Sequence, residues 1–170
     1  MIVRDERPAD VDAISAVTAA AFAGRPYSAG TEQYIVLALR RAGALVISLV
    51  AEQDGVVVGH AAWSLVSLPD TPAGWYGLGP ISVSPEWQGQ GIGTALMEAG
   101  LERLRRLGAL GCVLVGDPAY YERFGFDHFP GLAYPGAPAE VVMALPFTSA
   151  LPTGAIEFHE AFGATGPDRN

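Results

Sequence analysis

Six residues, Gln88-Gly89-Gln90-Gly91-Ile92-Gly93, constrain this chain more than any others. They stand between the apolar run Ile81-Ser82-Val83 and the helical pattern Thr94-Ala95-Leu96-Met97, so a strand, a glycine-rich turn and a helix start follow in order. Such a junction gathers unpaired main-chain N–H groups and the positive end of a helix dipole, the two ingredients of an anion site. Gly89 and Gly91 open backbone angles closed to other residues and keep Cβ atoms out of a ligand's way, while Gly93 is expected to let the new helix approach the sheet. The expected ligand is a nucleotide-like phosphate.

The flanks narrow the choice. No Gly-Lys-Ser/Thr follows, so the lysine and hydroxyl that hold a magnesium-bound triphosphate are missing. The Gly-x-Gly-x-Gly spacing, placed mid-chain, does not match a dinucleotide fingerprint, which wants Gly-x-Gly-x-x-Gly in the first βαβ unit. Ser84 precedes Pro85-Glu86 and reads as the cap of a turn. Without a Gly-x-Ser-x-Gly elbow it does not read as a nucleophile, which disfavours a hydrolase.

Gln-x-x-Gly-x-Gly after a strand resembles the acyl-coenzyme A loop of the GNAT N-acetyltransferase superfamily, with Gln88, Gly91 and Gly93 at the matching positions. A second block, Gly116-Asp117-Pro118-Ala119-Tyr120-Tyr121-Glu122-Arg123-Phe124-Gly125-Phe126, resembles the short helix and Gly-Phe turn that follow the fifth strand in that superfamily. Both are especially similar to the YhbS-like branch, and the resemblance is strongest from about Trp75 to Phe126. It implies an α/β (α+β) fold, a mixed twisted β-sheet flanked by helices, and an acetyl-CoA-dependent N-acetyltransferase. Acetyl-CoA would be the co-substrate, with no metal. A bulged fourth strand would leave main-chain groups at Ile81, Ser82 and Val83 free for the pantetheine arm. The pyrophosphate would lie on the turn and helix start formed by Gln88, Gly89, Gln90, Gly91, Ile92, Gly93 and Thr94.

Acetyl transfer to an amine needs a neutral nucleophile, stabilisation of the thioester oxygen, and a proton for the departing sulfur. Tyr121, four residues before Gly125, occupies the position that usually holds the general acid in the superfamily and is expected also to touch the cofactor. A free phenol near pKa 10 and an alkyl thiol near 8.5 differ by roughly 2 kcal/mol in water, and a dry cleft narrows that gap by destabilising the sulfur anion. Tyr120 points about 100° away on the same helix and is the weaker candidate. Many relatives carry a glutamate on the fourth strand, but residues 74 to 83 are all uncharged here. The base is left between His60, Glu32, Glu86 and ordered water. A direct ternary-complex transfer is expected because no cysteine is placed as a nucleophile. The missing acid also motivates the alternative of a non-catalytic acyl-CoA sensor or assembly module.

Eighteen acidic against ten basic residues give a formal charge of -8, the wrong sign for holding nucleic acid. Arg103, Arg105 and Arg106 read as a solvated helix face. No apolar run approaches a membrane span, and Asp5 and Glu6 stand where a signal peptide would be basic, so a cytoplasmic protein with no membrane partner is expected. The single cysteine, Cys112, lies in an apolar run and reads as a buried strand thiol. No metal-type spacing links His60, His128 and His159. The acceptor is expected to be a small-molecule or protein amine.

At 170 residues, half of them apolar, the chain reads as a single domain over 1–163 with a frayed, flexible tail over 164–170. A first strand is expected over Met1 to Arg4, then a helix from Pro8 with Val11, Ile14, Val17 and Ala21 inward, and a second from a Thr31 cap to Gly43. The connection between these helices, with Tyr27 and Ser28, usually borders the acceptor in the superfamily. Strands are expected over Ala44 to Gln53 and Val56 to Leu68 with a hairpin at Asp54-Gly55, and over Trp75 to Val83, where Gly77, Gly79 and Pro80 should disturb pairing. A helix over Gly91 to Leu107 should carry Ile92, Leu96, Ala99 and Leu107 inward. Strand Gly111 to Val115 returns parallel, and Asp117-Pro118 opens a two-turn helix closed by Gly125. Strands are expected from Phe126 and over Glu140 to Leu145, with a loop over 130–138 between them, and the segment Gly154 to Phe162 is a candidate last strand able to pair a homodimer.

Overall fold

The computed structural model describes residues 1–167. Strands β1 (Ile2–Asp5), β2 (Ile47–Gln53), β3 (Val56–Leu65), β4 (Trp75–Val83), β5 (Gly111–Val115) and β7 (Val142–Pro146) form one sheet in the order β1-β2-β3-β4-β5-β7. All neighbours run antiparallel except β4 and β5, which are parallel. Helices α1 (Val11–Phe22) and α2 (Glu32–Arg41) precede β2, α3 (Ile92–Arg106) joins β4 to β5, and the short α4 (Pro118–Tyr121) follows β5. No described helix is long and apolar enough to cross a membrane.

The hairpin between β2 and β3 forms where the Asp54-Gly55 pair predicts it, with φ of 50° and 80° at its two residues and Gln53 opposite Val56. β2 starts three residues later than expected because the chain first finishes α2. Gly43 takes φ 66° and the Ala44 N–H donates to the Leu39 carbonyl at 2.9 Å, a closure that uses residues otherwise free to extend. Thr31 stands at the start of α2 but makes no side-chain cap.

α3 shows how one face of the sheet is filled. Ile92, Leu96, Met97, Gly100, Leu101 and Leu104 are buried, at spacings of three and four residues. Leu107, expected inward, is exposed because it lies past the last helical turn, where Gly108 at φ 75° redirects the chain. The Trp63 ring from β3 is fully buried against Gly100, where an added Cβ would lie 2.0 Å from Trp63 Cη2. Cys112 lies in the same core, unexposed, with burial pushing its thiol pKa up to about 12.

The other face carries two smaller cores. One, from Ile14, Val36 and Val50, lies under α1 and α2. The other joins Trp75, Val113, Val142 and Ile156 at the opposite end of the sheet. Three expectations for the C-terminal third are corrected. Phe126 onward makes only a single bridge, Asp127 to Ala144, because Phe126 is drawn into the core and Pro130 interrupts the run. The segment expected as a loop contains β6 (Leu132–Ala133), which pairs in parallel with β8 (Gly154–Ala155), and a tight turn over 139–141 delays β7 to Val142. Beyond Ala155 the expected last strand gives way to a 3-10 turn over Glu160–Gly163. The tail expectation falls partly on residues 168–170, outside the described residues.

Candidate functional site

β4 has two differently paired halves. Trp75, Tyr76 and Gly77 lie opposite Gly111, Cys112 and Val113 of β5, and the pairing stops there. On its other side the register with β3 shifts between Ala61 and Trp63, opposite Gly79 and Pro80. Ile81, Ser82 and Val83 then pair only with Ala61, His60 and Gly59 of β3, so their β5-facing edge has no strand partner, and of its main-chain groups the Val83 carbonyl is taken by the Gln88 side chain. A cleft of about 540 Å³ opens along this edge.

Ile81, Ser82 and Val83 line the cleft on one side, and the turn from Gln88 to Thr94 lines its end. Gln88 is held by its own amide, which donates to the Val83 carbonyl at 3.0 Å. Gly89 and Gly91 take φ of 74° and 84° and have nothing within 4 Å of where a Cβ would stand, so each serves backbone angle and leaves open space. Gly91 also sits at the cap position of α3, which has no side-chain cap, so the first-turn amides are left to a ligand or solvent. Gly93 has a different purpose from the one expected: a Cβ there would meet the Tyr120 hydroxyl at 2.6 Å, so its absence makes room for a side chain of the site rather than for the sheet. Gln90 does not line the cleft. It is exposed and its amide donates to the Glu86 carbonyl at 3.2 Å.

Asp117 caps α4 by accepting from the Ala119 N–H at 3.0 Å, and Gly125 closes the following turn at φ 95°. This short element presents two adjacent tyrosines differently. Tyr120 lines the cleft, half-buried, with its pKa raised chiefly by burial. Tyr121 does not line it. Its ring lies over Gly116 and edge-on to Tyr120 and Phe126. Burial foremost pushes the Tyr121 phenol well above its ordinary range, and Tyr120, Cys112, Tyr27 and Asp117 add to that. Through the Tyr120 ring, 4.9 Å away between centroids, Tyr121 touches a residue of the cleft without lining the cleft itself.

The three candidate bases are scattered. His60 is unexposed on β3, its Nε2 2.8 Å from Ser48 Oγ, its Nδ1 without a partner, and burial lowers its pKa to about 4. It lies opposite Ser82 in the β3–β4 register, and Ser82 Oγ is 3.3 Å from Thr18 Oγ1 of α1. Glu32, in the first turn of α2, accepts from Ser28 Oγ on one oxygen and has its other oxygen buried without a partner. Glu86 is exposed and outside the cleft lining. Ser84 caps the turn after β4 through its carbonyl, which accepts from the Trp87 N–H at 2.8 Å, and not through its hydroxyl.

Arg25, Trp87 and Arg123 line the cleft without having been singled out from sequence. Arg25 sits 63 residues from its contact Gln88, a separation no local pattern bridges. The arginines of α3 are engaged elsewhere: Arg103 pairs with Asp5, Arg106 with Glu102, and Arg105 lies over the Phe147 ring.

The family model described as "Acetyltransferase (GNAT) family" matches residues 15–126. The uncharacterized N-acetyltransferase YhbS of Escherichia coli (strain K12) is 34% identical over 169 residues, covering 95% of this chain and 98% of that protein. A crystal structure of a GNAT family acetyltransferase from Brucella melitensis in complex with acetyl-CoA is 47% identical with a TM-score of 0.84, covering 95% of this chain and 97% of that one. The structure of Escherichia coli YhbS in complex with CoA has a TM-score of 0.85 at 32% identity, covering 98% of this chain and 93% of that one.

Proposed function

The chain belongs to the GNAT acetyltransferase family, and from that premise we propose that it binds acetyl-CoA in the cleft beside β4 and transfers the acetyl group to a primary amine by direct attack. The observation that carries this reading is the opening between β4 and β5, an unpaired strand edge at Ile81 to Val83 that ends on the uncapped start of α3. An extended amide-bearing arm matches the strand edge, and a diphosphate matches the helix start. The two relatives whose structures contain acetyl-CoA and CoA support the same ligand.

In the proposed reaction the amine nitrogen attacks the thioester carbon, the C–S bond breaks, and the sulfur takes a proton while the nitrogen loses one. Tyr121 is our choice for the donor to sulfur, on its place four residues before Gly125 and its ring contact with Tyr120. Burial keeps the phenol protonated and also raises the cost of giving the proton up, so the transfer requires a thiolate destabilised by the same dry surroundings. Tyr120 is a second reading, favoured by its place in the cleft lining. For the base we choose Glu32 or water. His60 is set aside on position: its imidazole is unexposed, lies outside the cleft lining and has its Nε2 2.8 Å from Ser48 Oγ. The acceptor class is a small-molecule or protein amine.

Incubation with acetyl-CoA and a panel of amines, followed by detection of released CoA, tests the function. Amine-dependent release supports the enzyme. CoA occupancy with no release under any amine supports the sensor reading. Tyr121→Phe is expected to lower turnover at least tenfold with the KM for acetyl-CoA nearly unchanged, whereas Tyr120→Phe raises that KM more than it lowers turnover. The reverse split would move the proton donor to Tyr120.

A further inference from the structure

The cleft has a cationic component that the amide-lined turn does not explain. Arg25, in the connection between α1 and α2, and Arg123, in the turn after α4, both line it and both are exposed. Arg25 places Nη2 3.2 Å from Gln88 Oε1, and Arg123 lies 4.5 Å over the Tyr120 ring centroid with its Nε donating to the Tyr120 carbonyl at 3.0 Å. Each is therefore tied to a residue of the cleft by a neutral partner that leaves its charge intact.

The formal charge of the chain is -8, and Arg4, Arg40, Arg103 and Arg106 are each neutralised by a carboxylate; Arg7 and Arg105 have no carboxylate at salt-bridge distance among the described residues, but neither lines this cleft. Among the described residues, Arg25 and Arg123 have no carboxylate at salt-bridge distance. Two uncompensated guanidinium groups on separate segments of a single cleft, in an otherwise acidic molecule, mark a place for more negative charge than one helix start accommodates.

We propose that Arg25 and Arg123 form a two-sided clamp on the phosphates of the cofactor and make the site discriminate for the 3′-phosphate of CoA. The clamp rests on the acetyl-CoA reading above and adds to it the part of the donor that is recognised. The diphosphate occupies the amides of the turn and the α3 start, and the guanidinium groups take the anionic oxygens those amides do not reach, in the planar two-donor geometry that suits phosphate. The donor is then free acyl-CoA, not an acyl group carried on a phosphopantetheine arm, which lacks both the second diphosphate phosphorus and the 3′-phosphate.

Calorimetric titration with CoA and with 3′-dephospho-CoA decides the matter, using the wild type, Arg25→Gln, Arg123→Gln, the double variant, and Arg106→Gln as a control with the same change of charge. Thermal melts of each variant verify the fold. The wild type is expected to prefer CoA over 3′-dephospho-CoA at least tenfold. The double variant should lose at least thirtyfold in CoA affinity and bring the ratio of the two ligands to within about threefold, while Arg106→Gln stays within twofold of wild type. A double variant with wild-type affinity and discrimination would overturn the clamp while leaving cofactor binding standing, and so would an equal loss in Arg106→Gln, which would mean only long-range charge. A wild type that binds neither ligand would remove the underlying function, and the clamp with it.

Discussion

The two faces of the central sheet, drawn from alternate residues of the same strands, follow different rules. On the α3 side, Ala61, Trp63 and Leu78 meet Leu96, Met97 and Leu104 in a core that is apolar apart from the Trp63 indole N–H. On the α1 side, Ser48 of β2, His60 and Ser64 of β3 and Ser82 of β4 are buried, with Ser82 Oγ 3.3 Å from Thr18 Oγ1 of α1, and two polar atoms of this face, His60 Nδ1 and Ser64 Oγ, have no partner. Buried polar groups without partners lower stability, so a face that keeps them is shaped by something other than packing. The difference teaches that a period-two alternation lets a single strand serve shape on one side and polarity on the other.

The contrast breaks most directly at Gly100. An alanine Cβ would stand 2.0 Å from Trp63 Cη2 and 2.2 Å from Cζ2, and the unexposed ring has no room to retreat. Gly100→Ala is expected to cost about 3 kcal/mol in urea denaturation, and Gly100→Ala with Trp63→Phe should recover part of that loss. A single variant as stable as the wild type would mean that the α3 face tolerates volume and that the two faces differ less than the structure indicates.

A next test titrates the polar face. Burial holds the folded His60 imidazole near pKa 4 against 6.5 in the unfolded chain, so below pH 6.5 the unfolded chain binds a proton that the folded chain refuses. Stability therefore falls as pH drops from 6.5 towards 4, by about 2 kcal/mol between pH 7 and 5. His60→Gln should flatten this slope when unfolding midpoints are compared across that range. An unchanged slope would assign the acid sensitivity to other groups.

The smallest effect is expected at Ser64, whose hydroxyl is buried and unpaired. Ser64→Ala should be neutral or stabilising by up to about 1 kcal/mol, as no hydrogen bond is lost and a desolvated group is removed. A loss above 1 kcal/mol by chemical denaturation would show that the hydroxyl is bound in the folded protein, for instance to a buried water.

Much of this architecture is legible in the chain because its signals are local. The Asp54-Gly55 hairpin, the Asp117 cap, the Gly125 stop and the glycine turn after β4 are each specified within a few residues, and each forms where expected. What escapes is settled by residues far apart in sequence. Gly93 is small because of Tyr120, and Gly100 because of Trp63, a ring from another element in each case. Arg25 joins the cleft only once α1 has brought it beside Gln88. The C-terminal third is hardest to read because, beside β7, its strands β6 and β8 form a two-residue pairing next to the buried Leu132 and Ile156 and carry no periodic pattern.

The burial of Cys112 has a practical side. Its sulfur is sealed inside the sheet and resists ionisation, so chromogenic disulfide reagents should find no protein group to consume. Colour developed in a reaction mixture would then report the coenzyme alone, and mild thiol-directed oxidants or alkylating agents used to quench samples should leave Cys112 unmodified.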